Sequence, residues 1–231
     1  MRKKEQVRIM FDSIAWRYDF LNHFLSFGTD LLWRRKAINE IAKRVKPQRI
    51  LDLATGTCDL AIESLRLHPE QVTAIDISQR MLEEGRKKLH RKKIDDRIRL
   101  MLGDSEHLPF DDSSFDVVMV SFGIRNFEDP ERGLAEMYRV LRKGGVVMIL
   151  EFSRPSKFPF RYIYNFYFHK ILPFFGALFS KDRAAYNYLP HSVSSFSEGD
   201  EFLALMGDAG FEKLKQRRLT GGVATIYTGC R

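Results

Sequence analysis

Cysteine is scarce. Among 231 residues only Cys58 and Cys230 occur, and they form no Cys-x-x-Cys pair and no cluster with histidine. A disulfide scaffold is excluded, and no ligand spacing for zinc or an iron–sulfur cluster exists. Such cysteine usage fits a reducing compartment, the cytoplasm. No run of 18 uncharged apolar residues is present, so no membrane span is expected. The charged start, Met1-Arg2-Lys3-Lys4-Glu5, leads into no apolar stretch and predicts no signal peptide. Glycine-rich phosphate loops are also missing: there is no Gly-x-Gly-x-x-Gly and no Gly-Lys-Ser/Thr end. Neither an internal repeat nor a low-complexity tract occurs.

What is there is an ordinary globular composition with a basic surplus. Lys and Arg number 38 against 30 Asp and Glu, a net charge of +8. That surplus permits nucleic acid, a membrane surface or a phosphorylated ligand and selects none of them. Phenylalanine is abundant at 19 residues, and many of these fall in one segment.

Residues 1–46 read as helices. Met10 to Asp19 mixes apolar and polar residues at helical spacing. Thr29 or Asp30 is expected to cap a helix running to Val45, with Trp33, Ala37, Ile38, Ile41 and Val45 as its stripe. Pro47 stops it. Residues 47–152 then alternate short apolar runs with helical stretches. The runs are Ile50–Ala54, Val72–Ile75, Ile98–Leu102, Phe115–Val120 and Val146–Leu150. Ser78 is placed to cap one helix. Asp129-Pro130 begins another, which Gly144-Gly145 is expected to stop. This rhythm predicts an α/β fold with a mostly parallel, doubly wound sheet. Residues 153–199 break it with Phe158, Phe160, Tyr162, Tyr164, Phe166, Tyr167, Phe168, Phe174, Phe175 and Phe179, and read as an inserted aromatic cap. Residues 200–231 supply a helix near Asp200–Ala209 and two strands near Phe211–Arg217 and Val223–Gly229, for seven strands in a single domain.

Open α/β sheets bind ligands beyond the carboxyl ends of their strands. Asp52-Leu53-Ala54-Thr55-Gly56-Thr57-Cys58-Asp59 puts Gly56 just after the first strand, where backbone approaches a ligand closely. Asp76 ends the second strand, 20 residues after Gly56, and suits two ribose hydroxyls. Asp104, with Ser105 beside it, follows the third strand and suits an adenine amino group. A plain turn, a capping aspartate and a surface loop would account for each feature alone. Their order together points to S-adenosylmethionine, since a dinucleotide would want more glycine for its pyrophosphate.

The same motifs, with Tyr138 to Gly145, resemble class I S-adenosylmethionine-dependent methyltransferases. Tyr18-Asp19-Phe20-Leu21-Asn22, Leu32-Trp33-Arg34-Arg35, Phe122-Gly123-Ile124-Arg125-Asn126 and Leu219-Thr220-Gly221-Gly222-Val223 are similar to the ubiquinone/menaquinone biosynthesis C-methyltransferase family. The likeness spans essentially the whole chain. It implies a Rossmann-like fold with a helical amino-terminal segment. It also implies methylation of a ring carbon on a polyprenylated quinol. By the family's pattern Thr57, Asp76, Asp104, Ser105 and Ser121 line the S-adenosylmethionine site, and no metal is called for. Cys58 departs from that pattern, which usually has glycine there; the side chain reads either as crowding the methionine end or shifting the turn, or, cysteine being small, as a tolerated spacer and not a nucleophile.

The chemistry needs the ring carbon made nucleophilic by deprotonating a quinol hydroxyl, and a cation near that oxygen favours it. Arg125, with Asn126, is the expected stabiliser, against the alternative of a structural pair with Glu128 or Asp129. Tyr18, Asp19 and His169 are candidate proton relays. Tyr18 and Phe27 also read as core aromatics. Tyr186 and Tyr188 read either as pocket lining or as anchors of the cap, and Glu151 as orienting a loop. The basic run Arg86 to Lys93 reads as a solvated helix face, or as a contact for anionic lipid or RNA. The expected partner is a lipophilic quinol, with no nucleic acid; peripheral contact with the inner face of the membrane and a homodimer stay open. Competing readings are a methyltransferase for another lipophilic small molecule and a non-catalytic S-adenosylmethionine-binding component of a quinone-synthesis complex.

Overall fold

The computed structural model describes residues 3–167 and 183–231. Helices α1 (Lys3–Ile14), α2 (Tyr18–Leu25) and α3 (Thr29–Ala42) come first. The alternating region follows as β1 (Arg49–Leu53), α4 (Asp59–Ser64), β2 (Gln71–Asp76), α5 (Gln79–Lys92), β3 (Ile98–Leu102), β4 (Phe115–Ser121), α6 (Pro130–Val140) and β5 (Leu141–Phe152). Then come α7 (Phe160–Phe166), α8 (Arg183–Ser195), α9 (Asp200–Asp208), β6 (Glu212–Leu219) and β7 (Ala224–Cys230).

The seven strands form one sheet in the order β3-β2-β1-β4-β5-β7-β6. The first five are parallel, and β7 runs antiparallel between β5 and β6. Apolar residues alternate between the two faces because successive strand side chains point opposite ways. Ile50, Val117, Met119, Val146 and Met148 pack with Trp33, Ile38 and Ile41 of α3. Leu51, Leu53, Val118, Val120 and Ile149 pack with Leu134 and Met137 of α6 and Phe202 of α9. Each fully buried Leu, Ile or Val contributes about 1.5–3 kcal/mol.

The expected caps of α5 and α6 are present: the Ser78 hydroxyl accepts from the Met81 N–H at 3.1 Å, and Asp129 from the Arg132 N–H at 3.0 Å. Elsewhere the expectations need correction. Helix α3 is preceded by Gly28 in the left-handed region, without a side-chain cap. Asp30 instead accepts from Ser26 and Arg34 within the fold. Helix α6 ends at Val140, before Gly144, because Leu141 is drawn into register with Phe115 of β4. Phe27 is no core aromatic: it is 81% exposed. The basic run on α5 is not wholly solvated, since Lys88 is buried. Within the aromatic segment, residues 168–182, with Phe174, Phe175, Phe179 and His169, lie outside the described residues.

Candidate active site

Strand order reverses between β1 and β4, which opens a crevice at their carboxyl ends. Three cavities run from it in series. The first encloses about 640 Å³, open solvent at its mouth included, and touches Gly56, Asp76, Asp104, Ser105 and Ser121. It shares Phe11, Tyr18 and Phe122 with a second cavity, which also holds Arg34, Arg125 and Tyr188. The second shares Asn22, Leu25, Ser26 and Phe152 with a third, walled by Phe27, Phe160, Ile163 and Tyr167.

In the first cavity, Gly56 has φ of 57°, a conformation glycine adopts without penalty. Its N–H donates to Asp76 at 2.7 Å, and the other Asp76 oxygen accepts from the Ser78 N–H at 2.8 Å. One carboxylate thus ties the β1 turn to the start of α5. Burial pushes the Asp76 carboxyl up to about 6, against the help of these two amides. Asp104 goes the other way. Burial opposes its charge, but the Lys4 ammonium at 2.7 Å, the Glu106 N–H and His107 outweigh that and hold it below the usual carboxylate range. Lys4 also meets Glu106 at 3.0 Å, so the first turn of α1 is pinned across the cavity.

Thr57 and Asp19, both expected at the site, do not line these cavities. The Thr57 hydroxyl donates to Asp19, and the Lys88 ammonium donates to Thr57 at 3.1 Å and pairs with Asp19 at 2.6 Å. Lys88 also meets Asp59 at 2.6 Å. Asp19, His23 and Asp59 gather ligand-type atoms within 4.8 Å, but both carboxylates already pair with the ammonium of Lys88. Asp19 therefore serves as an anchor joining α2 to α5.

Cys58 does not crowd the cavity either. It sits at φ of 74°, fully buried, with its Sγ against Gly85 of α5: a Cβ placed there would lie 2.6 Å from the sulfur. The left-handed backbone explains why glycine suits this position. Burial raises the thiol to about 12, so it is inert as a nucleophile.

Arg125 and Asn126 sit on the turn after β4, Arg125 lining the second cavity and Asn126 the first. Arg125 pairs with the fully buried Glu151 at 2.7 Å, not with Glu128 or Asp129. It also donates to the Phe122 carbonyl at 2.5 Å and to Ser192 at 3.3 Å. Glu151 thus aims a guanidinium, having first been raised by burial and then opposed by Arg125. The Tyr188 hydroxyl donates to Asn126 at 3.1 Å, which brings α8 onto the site. Tyr18 stands at the join of the first two cavities. Burial raises its hydroxyl, while Arg34, an Asn22 hydrogen bond and Arg125 pull it down. The Tyr186 side chain and His169 lie outside the described residues.

Sequence reasoning missed Lys4, Phe11 and Arg34 as lining residues. Lys4 was readable only as part of a charged start, and Arg34 only as one member of Leu32-Trp33-Arg34-Arg35. Their contacts span 100 positions or more in the case of Lys4, beyond any local pattern.

Comparison with known proteins bears on the family and the fold. A demethylmenaquinone methyltransferase of Bacteroides fragilis is 45% identical over all of this chain and 94% of its own length. A ubiquinone/menaquinone biosynthesis C-methyltransferase UbiE of Geotalea daltonii is 49% identical over 98% of this chain and 97% of its own. A crystal structure of a SAM-dependent methyltransferase from Thermotoga maritima, described as a possible histamine N-methyltransferase, superposes with a TM-score of 0.68 at 23% identity. It covers 96% of this chain and 98% of that one, and so speaks for the class I fold alone. The ubiE/COQ5 methyltransferase family pattern matches residues 1–231 in full, and the chain belongs to that family of S-adenosylmethionine-dependent methyltransferases.

Proposed function

We propose that this enzyme transfers the methyl group of S-adenosylmethionine to a ring carbon of a polyprenylated quinol such as demethylmenaquinol. The observation that carries this reading is the series of three cavities joined through Tyr18 and then through Phe152. The first suits a nucleoside, with Asp76 for the ribose hydroxyls, Asp104 for the adenine amine, and Ser105 and Ser121 alongside. The second suits an aromatic ring that carries oxygen. The third, almost wholly apolar, suits an isoprenoid tail.

The methyl sulfonium is already activated, so the protein's first task is alignment of methyl and ring carbon across the Tyr18–Phe122 boundary. Its second is to favour the ionised ring oxygen. Arg125, held by Glu151 out of water, is suited to stabilise that oxyanion, with Asn126 oriented by Tyr188 as an additional donor. Once the methyl is bonded, the ring carbon must lose its own proton to restore the aromatic ring; Tyr18 is suited to relay that proton toward water, and Asp19, paired with Lys88, is not. No residue here requires a metal for these steps, because the C–S bond breaks to release a neutral thioether, which needs no Lewis acid.

Acceptor access follows from the third cavity. Its wall includes Phe27, 81% exposed, and Phe160 and Ile163. Trp16, Phe20 and Phe24 are exposed close by in sequence, with the Arg17 guanidinium 3.8 Å over the Trp16 ring. This exposed aromatic wall of the tail cavity supports entry of the acceptor from a lipid surface.

The test is methyl transfer from labelled S-adenosylmethionine to reduced demethylmenaquinol in detergent, with mass analysis of the product. A ring-methylated quinol is expected. Binding of S-adenosylmethionine without transfer to any quinol would overturn the acceptor assignment.

A further inference from the structure

We propose that Arg34 is a second acceptor-binding guanidinium, placed to hold the ring oxygen that Arg125 does not. This rests on the quinol reading above and says which feature of the ring is recognised.

Arg34 comes from α3 and Arg125 from the turn after β4, yet both line the middle cavity. Each side chain is only 7% exposed. They stand over two adjoining rings: Arg34 lies 5.5 Å over Phe122, and Arg125 lies 5.2 Å over Phe152. Those rings are themselves 4.5 Å apart, centroid to centroid. The two cations therefore stand over neighbouring rings of one aromatic floor.

The donor accounting separates the two. A guanidinium has five N–H donors. Arg125 donates to Phe122, Glu151 and Ser192. Arg34 makes a single hydrogen bond among the described residues, Nη1 to Asp30 at 2.5 Å, and a longer ion pair with Asp59 at 3.9 Å. Its Nε, like Asp52 Oδ1, is buried without a partner among the described residues and, having no exposed surface, is out of a ligand's reach. Nη2 meets Asp59 only at 3.9 Å, so it keeps donors for an acceptor oxygen in this cavity. Asp30 is fixed by Ser26 and His23 at 2.6 and 2.8 Å, so Arg34 is held at the cavity wall rather than free to swing out.

The experiment compares two short-tailed prenyl naphthalene acceptors. One is the 1,4-diol. The other keeps only the hydroxyl next to the methylated carbon, so its ring stays activated. The wild-type enzyme is expected to prefer the diol by roughly tenfold or more in kcat/KM, the scale of one hydrogen bond to a charged group. In Arg34→Met that preference is expected to fall below about threefold, with S-adenosylmethionine affinity by calorimetry within about twofold of wild type. Removing one charge leaves Asp30 uncompensated, so Asp30→Asn with Arg34→Met is measured in parallel as the charge-neutral version. A folded variant of either kind that keeps the wild-type preference for the diol overturns the assignment of Arg34 alone. A wild-type enzyme that methylates neither ring overturns the acceptor reading and this assignment with it.

Discussion

Asp76 is buried against the turn it organises, and its carboxyl is raised to about 6. To accept both ribose hydroxyls it must be ionised. Affinity for S-adenosylmethionine is therefore expected to fall by up to tenfold per pH unit below about 6, as read by calorimetry from pH 5 to 8. Stability of the ligand-free protein has the opposite sign. The native state holds the Asp76 proton that the unfolded chain releases near 3.9, so this contribution is full below about 4 and is lost as pH rises through about 6. Asp76→Asn should flatten both profiles and weaken binding at neutral pH. A variant that keeps wild-type affinity would remove Asp76 from the ribose site. Cys58 makes a second prediction at this scale. Gly85→Ala alone should destabilise by about 1–3 kcal/mol, because its methyl meets the Cys58 sulfur. In a Cys58→Gly background the same change should be neutral or stabilising by up to about 1 kcal/mol, through helix propensity. Denaturant unfolding of the four proteins gives the coupling energy directly, and additive effects would refute the contact.

Helix α1 is the element that closes the first cavity, and it is tied down at both ends. Lys4 meets Asp104 and Glu106 at one end. At the other, Asp12 accepts from the Ser78 hydroxyl at 2.6 Å, the same oxygen that caps α5. Ser78→Ala removes both bonds and should cost about 1–2 kcal/mol, mostly the cap. Asp12→Ala spares the cap and should loosen α1 alone, speeding hydrogen exchange there while the midpoint of global unfolding hardly moves. Equal protection of α1 in wild type and Asp12→Ala would mean that Asp12 holds nothing. These elements also mark how far the sequence could be read. The seven strands and the caps at Ser78 and Asp129 follow from local rules, alternation and side-chain hydrogen bonding, and were legible. Asp76 and Asp104 were legible because strand ends fix where a carboxylate goes. The identity of Arg125's partner was not, since Glu151 lies 26 positions away on β5. Nor was the withdrawal of Thr57 and Asp19, which depends on Lys88, a residue indistinguishable in sequence from its solvated neighbours.

At the scale of the whole molecule, exposed apolar side chains gather on a few elements. No helix among the described residues is long and apolar enough to cross a membrane. Yet Trp16, Phe20, Phe24 and Phe27 are 66, 58, 42 and 81% exposed on and around α2, and Phe158, Tyr162, Ile163 and Phe166 are exposed on and before α7. Single exposed aromatics are unremarkable, whereas a group of them beside an apolar cavity calls for a partner surface. A net charge of +8 favours an anionic one. Each aromatic that enters the headgroup region removes apolar area from water at about 25 cal/mol per Å². Two or three together are enough for reversible partition without anchoring. The protein should therefore cosediment with vesicles containing anionic lipid, less so as salt rises, because the electrostatic part is screened within a Debye length of about 10 Å at 0.1 M. Phe20→Ser with Phe27→Ser should weaken cosedimentation severalfold. It should also raise the apparent KM for a long-tailed quinol delivered in vesicles, while turnover of a short-tailed soluble acceptor stays within about twofold. If soluble and vesicle-borne acceptors suffer alike, the aromatics act on the tail inside the cavity, and the lipid surface plays no part in delivering it.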